Sequence, residues 1–520
     1  MSRKMSGAPG YCNDNRGAFF MFSKENEKEI EPWRNDMFSK RSNEMSKSKV
    51  SEPNTECTDN TKVDLISGNL KLIYNKYLWA SFGGALISSI YSVVDMAMVG
   101  NYQGPDGTAA LACASPIWSI LYSLGFLMGI GGSVIFSTLK GQSSNNKHEA
   151  DEYYTSALIG TSMISAVIWI ILIFFDKEIL MLFGAKGNLL TIAREYIKTI
   201  RYVAPLFLFN QTIAAFLRND GAPELTTKSV IIGGFFNVFG DYFFVFTMNW
   251  GAYGAGLATA LGSILSFLLM LTHFTSGNKI FGFIPTKRAA INKNTLCLVR
   301  PEHFLRKFVK IFTTGFSTFF IDIALGIMNI MFNRQIIRYL GTDALSVYAI
   351  IINITCFVQC CSYSIGQAVQ PVISANLGAG RGSRIRIILK YSLFTAALFS
   401  LFWTVLSFAA PNFYTHLFMK PTQAVLDIAP GIIRKYSISY ILLPLNVFST
   451  YYFQALMKQK TAFTVSVSRG IIISGILVFA MPALLGADSI WFVMPLTEMI
   501  VAIYVIRMMV KYTSQLHDMT

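Results

Sequence analysis

The chain has 520 residues, 53% of them hydrophobic and only 14% charged, with a mean hydropathy of +0.45. Soluble domains carry about 25% charged residues, so these values exclude a soluble globular protein and predict a polytopic membrane protein. The formal net charge of +15 does not indicate a nucleic-acid binder. The first 71 residues hold 12 Lys/Arg against 11 Asp/Glu, and the excess belongs to the apolar remainder, where loop charge sets orientation.

Residues 1–70 are polar, rich in Ser, Asn, Lys and Glu, and have no apolar h-region. They read as a disordered cytoplasmic tail and not as a signal peptide. Twelve apolar stretches follow, at 75–99, 112–138, 153–175, 191–217, 228–247, 252–274, 308–332, 347–373, 388–410, 428–456, 461–484 and 488–510. Each approaches or exceeds the ~20 residues a membrane crossing needs. The loops after even-numbered spans carry about 17 Lys/Arg and those after odd-numbered spans about 5. The positive-inside rule therefore puts both termini in the cytoplasm. The predicted organisation is an N-lobe at 71–274 (helices 1–6), a basic cytoplasmic loop at 275–307, a C-lobe at 308–511 (helices 7–12) and a cytoplasmic tail at 512–520. The seven cysteines, at 12, 57, 113, 297, 356, 360 and 361, show no metal-ligand spacing and read as packing residues.

The two halves resemble each other. Gly107-Thr-Ala-Ala-Leu111 opens span 2 as Gly341-Thr-Asp-Ala-Leu345 opens span 8; Leu182-Phe183 and Pro205 pair with Leu417-Phe418 and Pro444. The offset drifts only from about 234 to about 239. The fold class is thus an all-α polytopic membrane protein, with twelve transmembrane helices in two six-helix lobes related by an internal repeat. Such a repeat is a transporter signature, with substrate handled between the halves.

Within the apolar run Ser229–Phe246 stands one carboxylate, Asp241, with Asn237 one helical turn before it on the same face. An ionised Asp near the centre of a span costs roughly 2.5–3.5 kcal/mol on insertion scales, so it faces a partner or a cavity. Asp95 in span 1 and Thr259 in span 6 fall at similar depth, in the outer half of the bilayer, while Asp106 in the turn Gly104-Pro-Asp-Gly107 is solvated. Two carboxylates, an amide and a hydroxyl form a hard-oxygen set suited to Na⁺, and the same carboxylates could instead carry H⁺. A purely local role, holding helices together, is the alternative for Asp241.

These residues also carry a resemblance. Val94-Asp-Met-Ala-Met-Val-Gly100 with Ala109-Ala-Leu, Asn210 followed by Leu217-Arg-Asn-Asp-Gly-Ala-Pro223, and Asn237-Val-Phe-Gly-Asp241 with Gly254-Ala-Gly-Leu-Ala-Thr259 together resemble the multidrug and toxic compound extrusion (MATE) transporters, in the bacterial multidrug efflux branch, over about 75–510. The resemblance implies cation-coupled efflux of organic, often cationic, compounds in exchange for Na⁺ or H⁺. It places the cation site on Asp95, Asn237, Asp241 and Thr259. Some members have a second acidic site, with a Glu on helix 7 and an Asp on helix 8. Here span 7 offers Asp322, about one turn early, and span 8 has no acid within it. Asp322 is therefore a candidate substrate contact. Asn210 is a further candidate, as are Asn333, Gln359, Gln367 and Gln370, for each of which interhelical hydrogen bonding is the favoured alternative.

Expected partners are small organic, often cationic, drug-like molecules and the lipid bilayer, with no nucleic acid. No cofactor is expected beyond the coupling ion, and the chain reads as a monomer in the cell (inner or plasma) membrane. Two rivals remain. A flippase or exporter for a lipid-linked or polyisoprenoid substrate would need a cationic cavity between the lobes. An intramembrane enzyme could use Asp95 and Asp241 as a dyad, but no P-loop, HExxH or GxSxG motif occurs. By the repeat offset Asp95, Asn237, Asp241 and Thr259 map near Asn329, Ile476, Ala480 and Glu498, so the ligand set is expected in one lobe only.

Overall fold

The computed structural model describes residues 64–143, 146–274, 296–418 and 422–518, and these are helical apart from short turns. A backbone in hydrocarbon must satisfy its own N–H and C=O groups, which helices do internally. Residues 1–63 of the expected tail, 275–295 of the inter-lobe loop and 519–520 of the C-terminal tail lie outside the described residues.

The first helix pair runs as one rod, Leu70–Gln142, bent at Gly104 (φ 70°, ψ −156°). It divides into α1 (Leu70–Gly104) and α2 (Asp106–Gln142). After α3 (Lys147–Phe174), a short helix, Asp176–Leu182, leads to α4 (Asn188–Asn219). The first half closes with α5 (Pro223–Thr247) and α6 (Gly251–Leu271). The second half repeats this order. Phe304–Gly378 bends at Gly341 (φ 82°, ψ −170°) into α7 (304–340) and α8 (342–378). Then come α9 (Gly382–Ala409) and a short helix, Pro411–Phe418. α10 runs from Gln423–Ser437 through a 3₁₀ turn, Ile438–Ile441, into Leu443–Ala455. α11 (Gln459–Leu485) and α12 (Ala487–Ser514) complete the fold. Among the described residues ten helices are long and apolar enough to cross a membrane, counting α7–α8 once and omitting the broken α10. Separating the first and including the second gives the twelve crossings expected. The bend glycines correct the sequence pairing: Gly104, not Gly107, is the counterpart of Gly341.

Both described chain ends lie on one face, here called the terminal face. Arg381 Nη1 donates to the Ile66 carbonyl at 2.8 Å, and Ser383 N donates to Asp518 at 2.7 Å. The last residues of the expected tail are bound there: Asn376 Nδ2 donates to the Leu65 carbonyl at 2.9 Å and Arg384 Nη2 to that of Gly68 at 2.7 Å. At this face each lobe's first helix leans into the other lobe. Leu70, Ile73, Tyr74 and Tyr77 of α1 are buried among side chains of α8–α12, and the Tyr74 hydroxyl is 2.7 Å from Thr395 Oγ1. Ile311 of α7 is buried among residues of α2, α3 and α4. The backbones of α2 and α7 touch, since a Cβ on Gly315 would lie 1.9 Å from the Leu127 carbonyl oxygen. The terminal side of the inter-lobe space is thereby closed.

Candidate ion and substrate site

Four helices converge on Asp95. Gly233 on α5 has no Cβ, which would otherwise lie 2.0 Å from Ser266 Oγ and 2.6 Å from the Gly262 carbonyl of α6. That close approach brings the polar face of α5 against Thr259. Asn237 Nδ2 donates to Asp95 Oδ1 at 3.1 Å and to Thr259 Oγ1 at 3.0 Å. Thr259 Oγ1 lies 2.9 Å from Asp95 Oδ2. Three of the four residues expected to form the cation site, Asp95, Asn237 and Thr259, are thus hydrogen-bonded together across α1, α5 and α6. Sequence reasoning missed a fifth member: the Tyr196 hydroxyl of α4 donates to Asp95 Oδ2 at 3.0 Å.

The two carboxylates differ in their surroundings. Asp95, 4% exposed, has both oxygens bonded by these donors. Asp241 is fully buried, one helical turn past Asn237, and close enough to Asp95 for the two carboxylates to repel each other. Its two oxygens, and Asn237 Oδ1, have no hydrogen-bond donor among the described residues. No Lys or Arg among the described residues pairs with either carboxylate. Three acceptor oxygens beside a partnered carboxylate, with no protein cation, suit a hard monovalent ion or a proton shared by the pair. A buried carboxylate in such a place is costly as a bare charge. The helix just past Asp241 is also irregular, with Tyr242–Thr247 wound as π-helix, a form that appears mostly as single turns and often at functional sites.

Asp95, Asn237 and Thr259 form part of the wall of a cavity of about 1270 Å³ between the lobes, with Asp241 behind them. Pockets for drug-sized ligands span about 300–1,000 Å³, so the space holds such a molecule with room to reorient. It reaches from Leu182–Gly184, on the face opposite the termini, down to Arg218 near the terminal end of α4. Trp118, Tyr122, Phe126 and Met96 give it an adaptable apolar lining. Of the predicted substrate contacts, Asn210, Asp322, Asn333, Gln359 and Gln367 line the cavity. Asp322 accepts a hydrogen bond from the Tyr363 hydroxyl at 3.1 Å, and Asn210 Nδ2 donates to the Ser263 carbonyl at 3.0 Å. Gln370 is not on the lining. It sits deeper on α8, where the lobes are sealed, and points at Ser133 Oγ of α2 at 3.4 Å. The charged lining residues are Asp95, Asp322, Arg218 and Arg469. Two carboxylates thus stand against two guanidinium groups, and Arg469 is itself paired with Glu498 at 2.7 Å, so the wall has no cationic excess.

Comparison with known proteins agrees with this architecture. The chain is 24% identical over 420 residues to Multidrug export protein MepA of Staphylococcus saprophyticus, covering 81% of this chain and 89% of that protein. A Staphylococcus aureus MepA is 23% identical with the same coverage. A solved structure of a multidrug resistance MATE family transporter of the MOP superfamily, in an outward-facing conformation, superposes with a TM-score of 0.77 at 20% identity, over 89% of this chain and 99% of that one. A MOP superfamily transporter from Pyrococcus furiosus, described as having a binding pocket of reverse polarity, gives a TM-score of 0.78 at 19% identity, with the same coverage. The sequence profile of the MatE family matches twice, at 80–243 and 317–480. With one match in each six-helix lobe, together spanning more than half its length, the chain belongs to the MatE family of membrane transporters and is not an enzyme.

Proposed function

We propose that this transporter exports organic, often cationic, drug-like compounds from the cytoplasm in exchange for Na⁺ or H⁺, with Asp95, Asn237, Asp241 and Thr259 binding the coupling ion. The carrying observation is that this cluster stands in the wall of the cavity that would hold the substrate, with the Asp241 oxygens undonated behind it. An ion and a cationic substrate then draw on the same carboxylates. The MepA relatives, named as multidrug export proteins, support the substrate class.

Positive loop charge makes the terminal face cytoplasmic in this reading. The closed terminal side then corresponds to an outward-open state, in which Na⁺ or H⁺ reaches Asp241 past Asp95 and Asn237. Neutralising the pair draws α1, α5 and α6 together and weakens the hold on a cationic substrate, which leaves outward. The ion-free carrier reverses and reloads substrate through contacts such as Asp322, Asn210, Gln359, Gln367 and Asn333. Coupling requires that each ligand bind the two states with different affinity. The carrier works as a monomer in the plasma membrane and needs no cofactor beyond its coupling ion. A flippase for an anionic lipid-linked substrate gains no support, because the cavity wall lacks a cationic excess.

The test is ethidium transport by the reconstituted protein, with Na⁺ and pH gradients imposed separately. One gradient should drive transport, and Asp241→Asn should cut the gradient-driven rate at least tenfold while the protein stays folded. Undiminished gradient-driven transport by Asp241→Asn would overturn the assignment.

A further inference from the structure

The C-lobe buries an ion pair that the cycle above does not use. Arg469 Nε on α11 donates to Glu498 Oε1 on α12 at 2.7 Å. Asn446 Nδ2 on α10 donates to Glu498 Oε2 at 2.7 Å and to the Glu498 carbonyl at 2.9 Å. Glu498 is fully buried and Arg469 is 6% exposed. Arg469 and Asn446 nevertheless belong to the cavity wall. Arg469 Nη2 and Asn446 Oδ1 have no hydrogen-bond partner among the described residues. Like Asp241, Arg469 adjoins a π-helical stretch: it lies within Ser468–Ile472.

The repeat gives this pair a meaning beyond that of a strut. Asn210 donates to the Ser263 carbonyl in the N-lobe as Asn446 donates to the Glu498 carbonyl in the C-lobe. The two bonds align α4 and α6 with α10 and α12 at offsets of 236 and 235 residues. This corrects the sequence alignment, which set Glu498 against Thr259, one turn away. At the same offset the counterpart of Arg469 is Gly233. The N-lobe therefore has small residues at both positions and holds two carboxylates without a protein cation. At the equivalent place the C-lobe holds one carboxylate, Glu498, with a cation supplied by its own chain. A buried pair is a weak source of stability against an apolar replacement, and a partly unsatisfied network is weaker still. Retaining one on a cavity wall points to a site.

We propose that Glu498 and Asn446 form a monovalent-cation site in the C-lobe that Arg469 fills as a tethered cation, closing it to free Na⁺ and H⁺. The consequence, that only the N-lobe responds to the coupling ion, rests on the reading in the preceding section; the site itself does not. The groups facing Glu498 are Arg469 on α11 and Asn446 and Tyr436 on α10, with Tyr363 of α8 facing Arg469.

The experiment is thermal unfolding of the purified full-length protein. NaCl is titrated against choline chloride at fixed pH, and pH is titrated at fixed Na⁺. Asp241→Asn should show no Na⁺-dependent change in Tm, and its pH profile sets the baseline for the acid arm. Adding Arg469→Met should restore a rise of a few degrees with Na⁺ or with acid, the two arms distinguishing the ions. Adding Glu498→Gln should abolish it again, and Asp241→Asn with Arg469→Lys should stay flat. The proposal is overturned if Asp241→Asn/Arg469→Met stays flat, if it is unfolded at every Na⁺ concentration and pH, or if its response survives Glu498→Gln. A wild-type protein flat in both titrations, beside a responsive Asp241→Asn/Arg469→Met, would remove the N-lobe reading and leave this one standing.

Discussion

Asp95 is held by three donors from three helices, and Tyr196 is the one the sequence hid. It sits among Arg194, Glu195 and Lys198, a stretch that reads as solvated helix, yet it is turned inward with Ala193, Ile197 and Ile200. Hydrogen bonds to charged groups contribute about 1.5–3 kcal/mol. Tyr196→Phe should therefore lower the Tm in detergent measurably, and under the proposed coupling it should shift the ion concentration for half-maximal efflux. An unchanged Tm would show that this bond contributes nothing. Asp241 was legible because a lone carboxylate in an apolar run is expensive and so must be explained. Arg469 and Glu498 were not, since two opposite charges on separate spans share no period that would mark them as a pair. Gln370 is the case the sequence left open between two roles: an amide in a span has the same appearance whether it faces a cavity or, as here, a neighbouring helix.

The helices themselves were largely readable, because about 20 apolar residues between polar loops leave few alternatives. What composition could not place were the irregularities. The break in α10 follows from Pro444, which cannot donate to the preceding turn, but the 3₁₀ geometry of Ile438–Ile441 depends on packing. The bends at Gly104 and Gly341 are sharper cases. Each has positive φ with ψ near ±160–170°, a region open essentially only to glycine, which costs other residues of order 1–3 kcal/mol. Among the described residues no atom beyond the adjoining backbone lies within 4 Å of a Cβ built at either position, so the cost of an added methyl is backbone strain. Gly104→Ala and Gly341→Ala should each lower the Tm by several degrees. Gly326→Ala is the control: it also has open space around its Cβ, but it lies inside regular helix, where alanine is favoured. Equal behaviour of all three variants would contradict the strain argument.

For the whole molecule, the repeat and the charge bias of the loops carried the two-lobe plan, and the family match agrees with the plan. The exchange of α1 and α7 between lobes was not legible, because an apolar helix face does not say which apolar face covers it. If the exchange matters, residues 1–274 alone should be degraded or aggregate, since Ile311 is missing from the N-lobe core and the start of α1 lacks its cover. Co-expressed halves divided within 275–295 should co-purify as a folded complex. A folded, monomeric 1–274 fragment would show that the crossing is dispensable. The same crossing bears on biosynthesis. α1 leaves the ribosome before α2–α12, yet Tyr74 and Tyr77 are covered by a cluster that extends to Val501, Val505 and Met509 of α12. α1 thus waits for α12 before its packing is complete, so a nascent chain stalled anywhere short of α12 carries an unfinished α1 in the bilayer.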